Sequence, residues 1–160
     1  MAFETPILLI IYNRAEVTSR VFNIIERLKP KNLYVAADGP RETTPADDQA
    51  CRNTRNIITN GIKWDCNLRT LFRDENYGCG RGVSSAIDWF FSQVDNGIIL
   101  EDDIIVKDSF FDYAQNLLHK FKNDTRVMMI SGFNHQIEWH SEYSYFYAYY
   151  GGVWGWATWK

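Results

Sequence analysis

Gly97-Ile98-Ile99-Leu100-Glu101-Asp102-Asp103-Ile104-Ile105-Val106 places three consecutive carboxylates between two short aliphatic runs. A fully apolar run of this length marks a strand in a parallel sheet covered on both faces. Adjacent like charges repel and cannot be buried unpaired, so the triplet is expected where such a strand leaves the core, facing water, a cation or both. In an extended segment the pleat sends Glu101 and Asp103 to one side and Asp102 to the other. That arrangement can offer one carboxylate to a divalent metal and the others to ligand hydroxyls. Taken alone, the triplet also reads as a solvated acidic turn.

Working outward, residues 6–12 form a continuous apolar run rich in β-branched side chains, a second buried strand, and Asn13-Arg14 follows its C-terminal end. Val17, Val21, Ile24, Ile25 and Leu28 recur at spacings of three and four, which predicts an amphipathic helix over residues 15–29, stopped by Pro30. Residues 33–37 predict another strand, closed by the turn Asp38-Gly39-Pro40. Thr44-Pro45-Ala46-Asp47-Asp48 has the form of a helix start, with a capping hydroxyl and acids near the positive end of the dipole, for a helix reaching about residue 59. A strand over residues 68–72 follows. After Asn76-Tyr77-Gly78-Cys79-Gly80-Arg81-Gly82 a helical pattern opens with Val83, Ala86, Ile87 and Phe90. Beyond the acidic triplet, Asp108 caps a helix with Phe111, Ala114, Leu118 and Phe121 inward, and residues 127–131 predict a fifth strand.

Strands alternating with helices predict an α/β fold, a mostly parallel sheet with helices on both faces. Ligands of such sheets bind outside the carboxyl ends of the strands, where strand order reverses. Asn13-Arg14, Asp38-Gly39-Pro40-Arg41 and Glu101-Asp102-Asp103 all fall at predicted strand ends and converge on that edge.

A chain of 160 residues has the size of one domain and buries about two-thirds of its unfolded surface without staples. A formal net charge of −3 argues against nucleic acid or an anionic membrane as the main partner. No run is long enough to span a membrane, and the first residues lack a signal-peptide pattern. Cys51, Cys66 and Cys79 are odd in number with no CxxC pair, which fits a reducing compartment. The expectation is a cytoplasmic protein, with peripheral membrane association left open. Residues 143–150 have strand composition without clean alternation, and Trp154, Trp156 and Trp159 crowd the last seven residues. Such an apolar end is expected of an N-terminal fragment of a longer protein.

Several residues admit two readings. Asp38 can accept a hydrogen bond from a nucleobase imide or a ribose hydroxyl, or cap its own turn. Arg14 and Arg81 can clasp a diphosphate, or serve as surface arginines. The glycine-rich run 78–82 can present N–H groups to an anion, but it matches neither GxGxxG nor GxxxxGKS. The three tryptophans can stack on a sugar or pack a core. His119, His135 and His140 show no metal-ligand spacing, and Cys79 has no histidine arrangement to make it a nucleophile.

Ile99-Leu100-Glu101-Asp102-Asp103-Ile104-Ile105-Val106-Lys107-Asp108-Ser109-Phe110-Phe111, together with residues 6–14 and Ala37-Asp38-Gly39, resembles the GT-A nucleotide-diphospho-sugar glycosyltransferases. Within these it is most similar to the N-acetylglucosaminyltransferase I group and its bacterial relatives, over nearly the whole chain. The resemblance implies a metal-dependent glycosyltransferase that moves a sugar from a nucleotide-diphosphate donor, a UDP-sugar above others, to a carbohydrate acceptor hydroxyl. It implies Asn13 and Arg14 at the nucleotide, Asp38 at the uracil and Arg81 near the donor phosphates. Glu101 and Asp102 would contact sugar and ribose hydroxyls, and Asp103 would bind Mn²⁺ or Mg²⁺. Residues 1–103 would form the nucleotide-binding half and 104–160 the start of the acceptor half, with Ser131-Gly132-Phe133-Asn134 and Gly155-Trp156 matching family segments there. Inverting members carry a catalytic carboxylate further downstream. Glu138 and Glu142 match no such motif, so no base is assigned. The alternatives are a nucleotidyltransferase of related fold, which usually carries a glycine-rich loop with Arg and Lys after its first strand, and a non-catalytic sugar-nucleotide or glycan-binding domain.

Overall fold

Strand β1 (Ile7–Ile11) is built wholly from aliphatic residues and lies inside the sheet with partners on both sides. Its alternation divides the protein into layers: Ile7, Leu9 and Ile11 face one apolar cluster, and Leu8 and Ile10 the other. The computed structural model describes residues 3–134 and 141–160. Helix α1 (Ala15–Leu28) buries Val21, Phe22, Ile24 and Ile25, and it ends at Lys29, whose left-handed backbone turns the chain into Pro30. There follow β2 (Asn32–Ala37), α2 (Ala46–Gly61), β3 (Asn67–Phe72), α3 (Gly78–Phe91), β4 (Asn96–Glu101), α4 (Ser109–Phe121), β5 (Ile130–Ser131) and β6 (Trp156–Trp159).

The strand order is β3-β2-β1-β4-β6-β5. The first four run parallel, and β6 runs antiparallel to both its neighbours. Helices α1 and α4, with Ile58 of α2, cover one face, while Ala86 and Phe90 of α3 cover the other. The expected α/β sheet with helices on both faces is therefore what the chain forms. Strand order reverses at β1: the chain steps outward to β2 and β3, then returns to β4 on the opposite side. The crevice between the C-terminal ends of β1 and β4 is thus the topological switch point.

Four local expectations need correction. Helix α3 opens at Gly78, inside the glycine run and not after it, because the carboxylate of Asp38, just past the end of β2, caps it from a distance. Helix α2 has no side-chain cap, so the Thr44 hydroxyl does not serve as one, and the helix continues to Gly61. Beyond Glu101 the pleat ends: the Ile104 N–H bonds the Glu101 carbonyl at 3.1 Å, so Asp102 and Asp103 sit in a turn. The fifth strand shrinks to Ile130–Ser131, held antiparallel by β6, a strand that the tryptophan-rich tail hides in sequence. Residues 143–150 form no strand and are mostly exposed. No helix among the described residues is long and apolar enough to cross a membrane.

Candidate ligand site at the carboxyl edge

Arg14 begins the site. It directly follows the β1 strand end and precedes α1, so its guanidinium is carried to the crevice between β1 and β4. There Nε and Nη2 donate to the two oxygens of Asp102, and Nη1 donates to Asp103 at 3.1 Å. The burials differ sharply: the Asp102 side chain is 4% exposed, while Arg14 and Asp103 are 49% and 47% exposed. Burial pushes the Asp102 carboxyl up, against the pull of Arg14. Burial also raises Glu101, and the negative charges of Asp103 and Asp102 add to that effect. One arginine therefore offsets a triplet of carboxylates that could not otherwise sit side by side.

A second cluster lies at the ends of β1 and β2, around a residue that sequence reading treats only as a helix-start acid. Asp47, 4% exposed, accepts from the Tyr12 hydroxyl at 2.6 Å, from Asn13 Nδ2 at 2.9 Å, and from Arg41 Nε and Nη2 at 2.6 and 3.1 Å. The Arg41 guanidinium and the Tyr12 hydroxyl hold the Asp47 carboxyl well below the usual carboxylate range. Burial and the hydrogen bond to Asp47 push the Tyr12 phenol up to about 12. The signal that finds Asp47 is spatial: its partners Tyr12 and Asn13 lie 35 and 34 residues away in sequence.

The third cluster joins β2, β3 and α3. The Asp38 carboxylate accepts the backbone N–H groups of Gly39 at 3.1 Å, Tyr77 at 2.9 Å and Gly78 at 3.0 Å. The anion at the α3 N-terminus is thus the protein's own, and it takes the Gly78 N–H, the first donor of the glycine run. Gly39 is required for a close approach: a Cβ there would lie 2.4 Å from the Glu75 backbone. Asn76 ties the same two loops together by donating to the Gly39 carbonyl at 2.9 Å. Arg55 reaches from α2 to the carbonyls of Asp38 and Arg73, at 3.1 and 2.5 Å. Arg81 stacks on the Tyr77 ring, 4.4 Å from its centroid, and Arg73 lies 5.0 Å from the same centroid.

Of the residues singled out in the sequence, Arg14, Asp102 and Asp103 meet directly, and Glu101 adjoins them. Asn13 belongs to the Asp47 cluster, and Asp38 and Arg81 to the α3 cluster. No hydrogen bond or ion pair among the described residues joins Arg81 to the acidic triplet. Trp156 and Trp159 pack against opposite core clusters, and Trp154 lies on Phe133 with centroids 4.7 Å apart, so the three do not form one platform. The cysteines are free and Cys79 is exposed. His119 and Glu142 are exposed and distant in sequence from the strand ends, while His135, Glu138 and His140 lie outside the described residues.

Among the described residues no three His, Cys, Asp or Glu side chains are grouped so as to hold a metal ion by themselves. Both Asp102 oxygens are committed to Arg14. Asp103 alone offers a half-exposed carboxylate, a donor set that fits a hard cation shared with ligand oxygens and not one caged by protein.

No family model matches the chain, and no curated protein sequence matches it. Among solved structures it is similar to the 4-diphosphocytidyl-2C-methyl-D-erythritol synthase of Anaerococcus prevotii DSM 20548, at 13% identity and a TM-score of 0.46. The match covers 72% of this chain and 52% of that one, so the chain spans about half the length of the protein it matches.

Proposed function

We propose that the carboxyl edge binds a nucleotide-diphosphate sugar and that the chain belongs to a metal-dependent glycosyltransferase, moving the sugar to an acceptor hydroxyl. The observation that carries this reading is the Arg14–Asp102–Asp103 group seated at the switch point between β1 and β4. Asp102 fixes the guanidinium, and Arg14 in turn lets Asp103 stand exposed as a carboxylate beside a buried one. Mn²⁺ or Mg²⁺ would be held by Asp103 together with donor phosphate oxygens; the chemistry it supplies is neutralisation of charge on the departing diphosphate. Glu101, held by burial in a less acidic state, suits a hydrogen bond to a donor hydroxyl. Asn13 and Asp38 flank the nucleotide end of the same edge, and Arg81 is the cation nearest it on α3. The acceptor and its general base are not assigned to any described residue.

Nucleotidyl transfer is the second reading, since it calls for the same kind of edge and the same metal chemistry. Against it, only Tyr12, Asn13 and Arg14 separate β1 from α1, which leaves no glycine-rich loop to wrap a triphosphate. The likeness to the Anaerococcus prevotii synthase does not choose between the two. A thermal-shift panel of UDP, GDP, CDP and dTDP, each with Mn²⁺ or EDTA, on wild type and Asp103→Ala, tests the donor site. Stabilisation that needs both metal and Asp103 is expected; no nucleotide-dependent shift, or one indifferent to metal and Asp103, would overturn it. Release of pyrophosphate from a nucleoside triphosphate and a sugar phosphate would favour the second reading.

A further inference from the structure

We infer that Asp47 is a positioning residue for base selection, holding Arg41 so that the guanidinium faces the carbonyl oxygens of the nucleotide base. The inference rests on the nucleotide-donor reading and adds two residues to it. Core packing calls for no carboxylate at this place, yet Asp47 is buried at the ligand-bearing edge and gathers side-chain donors from the β1 end and from the β2–α2 loop. Burying a carboxylate is tolerated only when its oxygens are fully engaged, and these are. The fork from Nε and Nη2 fixes the plane of the Arg41 guanidinium, which has five N–H donors in all. The Arg41 side chain is still 51% exposed, so its other donors face outward.

The ligand class follows from what surrounds Arg41. A pocket of about 300 Å³ opens there, lined by Pro40, Arg41, Glu42, Glu75 and Asn76. The exposed Glu42 and Glu75 carboxylates at its rim disfavour a phosphate there, so the part of a nucleotide that suits it is neutral: its base. Uracil presents ring carbonyls to an arginine and imide N–H to a carboxylate. Adenine has no carbonyl, and a site built to pair with one rejects the base that lacks it.

The test compares UDP with ADP, in Mn²⁺, by calorimetric titration of the full chain. Wild type is expected to prefer UDP by about ten-fold or more. Asp47→Asn turns one carboxylate oxygen into an amide NH₂ that faces either the Tyr12 hydroxyl and Arg41 Nε or the Asn13 amide and Arg41 Nη2, and Arg41→Met removes the cation; each is expected to cut UDP affinity while sparing ADP, so that the preference shrinks toward unity. In the double variant the preference falls no further than in the worse single one, because both changes break one arrangement. A purely structural Asp47 would lower thermal stability and leave the UDP-to-ADP ratio at its wild-type value, which would overturn the inference, as would equal losses for both nucleotides. Should Asp47→Asn fail to fold, Arg41→Lys decides, since lysine keeps the charge but cannot both grip Asp47 with a fork and face the pocket. A wild-type ratio in Arg41→Lys would overturn the proposal. If wild type binds neither nucleotide, the donor-site reading itself fails and this inference falls with it; binding with an unchanged ratio in the variants refutes the inference alone.

Discussion

Arg14 stands half in water while the Asp102 carboxylate it holds does not, and this asymmetry sets the cost of removing either one. Arg14→Ala strands a buried charge; because the arginine is partly solvated, the expected loss is about 2 kcal/mol, below the range for a fully buried pair. Chemical denaturation measures it, and adding Asp102→Asn to Arg14→Ala is expected to recover part of the loss by removing the stranded charge. The Asp47 cluster predicts opposite behaviour at the two ends of the pH scale. Tyr12 ionises near 12 in place of its ordinary 10, so its contribution to stability is full below pH 10 and is lost as pH rises through 12. Asp47 is shifted down, so its contribution holds above the ordinary 3.8 and is lost as pH falls below that value. A phenolate absorbance titration should show late tyrosines in wild type, Tyr113 among them because burial raises it, with Tyr12 as a step near 12. Asp47→Asn should move that step only part of the way back, since burial, the larger cause, persists. A late step unchanged in Asp47→Asn would mean that the hydrogen bond to Asp47 does not shift Tyr12.

Helix α3 shows how one strand end organises the next element. Its first five residues contain three glycines, Gly78, Gly80 and Gly82, poor helix formers that lose much backbone freedom on folding, and Gly78 carries a φ of 74°. What holds the turn is the Asp38 carboxylate on the N–H groups of Tyr77 and Gly78. Asp38→Ala is accordingly expected to cost about 1–2 kcal/mol and to fray α3 from its N-terminus, seen as faster amide exchange at residues 77–82; unchanged exchange there would refute the capping role. Some elements announce themselves in the sequence and others depend on distant residues. Strands β1, β2 and β4 and helices α1 and α4 were legible because each carries its own period of apolar residues, as with Phe111, Ala114, Leu118 and Phe121, all buried. The start of α3 was not, because its cap lies 40 residues upstream. Strand β6 was not, because Trp156 and Trp159 pack on opposite faces of the sheet and so read as an undivided aromatic cluster. At the site, the acidic triplet and Asn13-Arg14 were visible as charges at strand ends, whereas Asp47 became visible only once β1 and α2 were brought together.

The two faces of the sheet are unequally covered, and that inequality bears on the ligand edge. One face has α1, α2 and α4; the other, among the described residues, has α3, anchored by Ala86 and Phe90 against Leu8, Tyr34 and Ile99. Phe90 is fully buried, its ring centroid 5.0 Å from that of Tyr34, and it lies so close over β4 that a Cβ on Gly97 would come within 2.3 Å of it. Because α3 also carries Arg81 and begins directly after Tyr77, the packing of one phenylalanine bears on where that side of the edge stands. Phe90→Ala should cost about 3–5 kcal/mol through lost contacts and the cavity left behind. Phe111→Ala, in the larger cluster, should cost a comparable amount by the same mechanism. The two variants should differ in place: hydrogen exchange in Phe90→Ala should rise along α3 and at residues 73–82 with the β1 and β2 amides still protected, whereas Phe111→Ala should leave α3 protected and loosen α4. Equal exchange patterns in the two variants would mean that the layers open together, and that α3 is not the separately held wall of the site that its packing makes it.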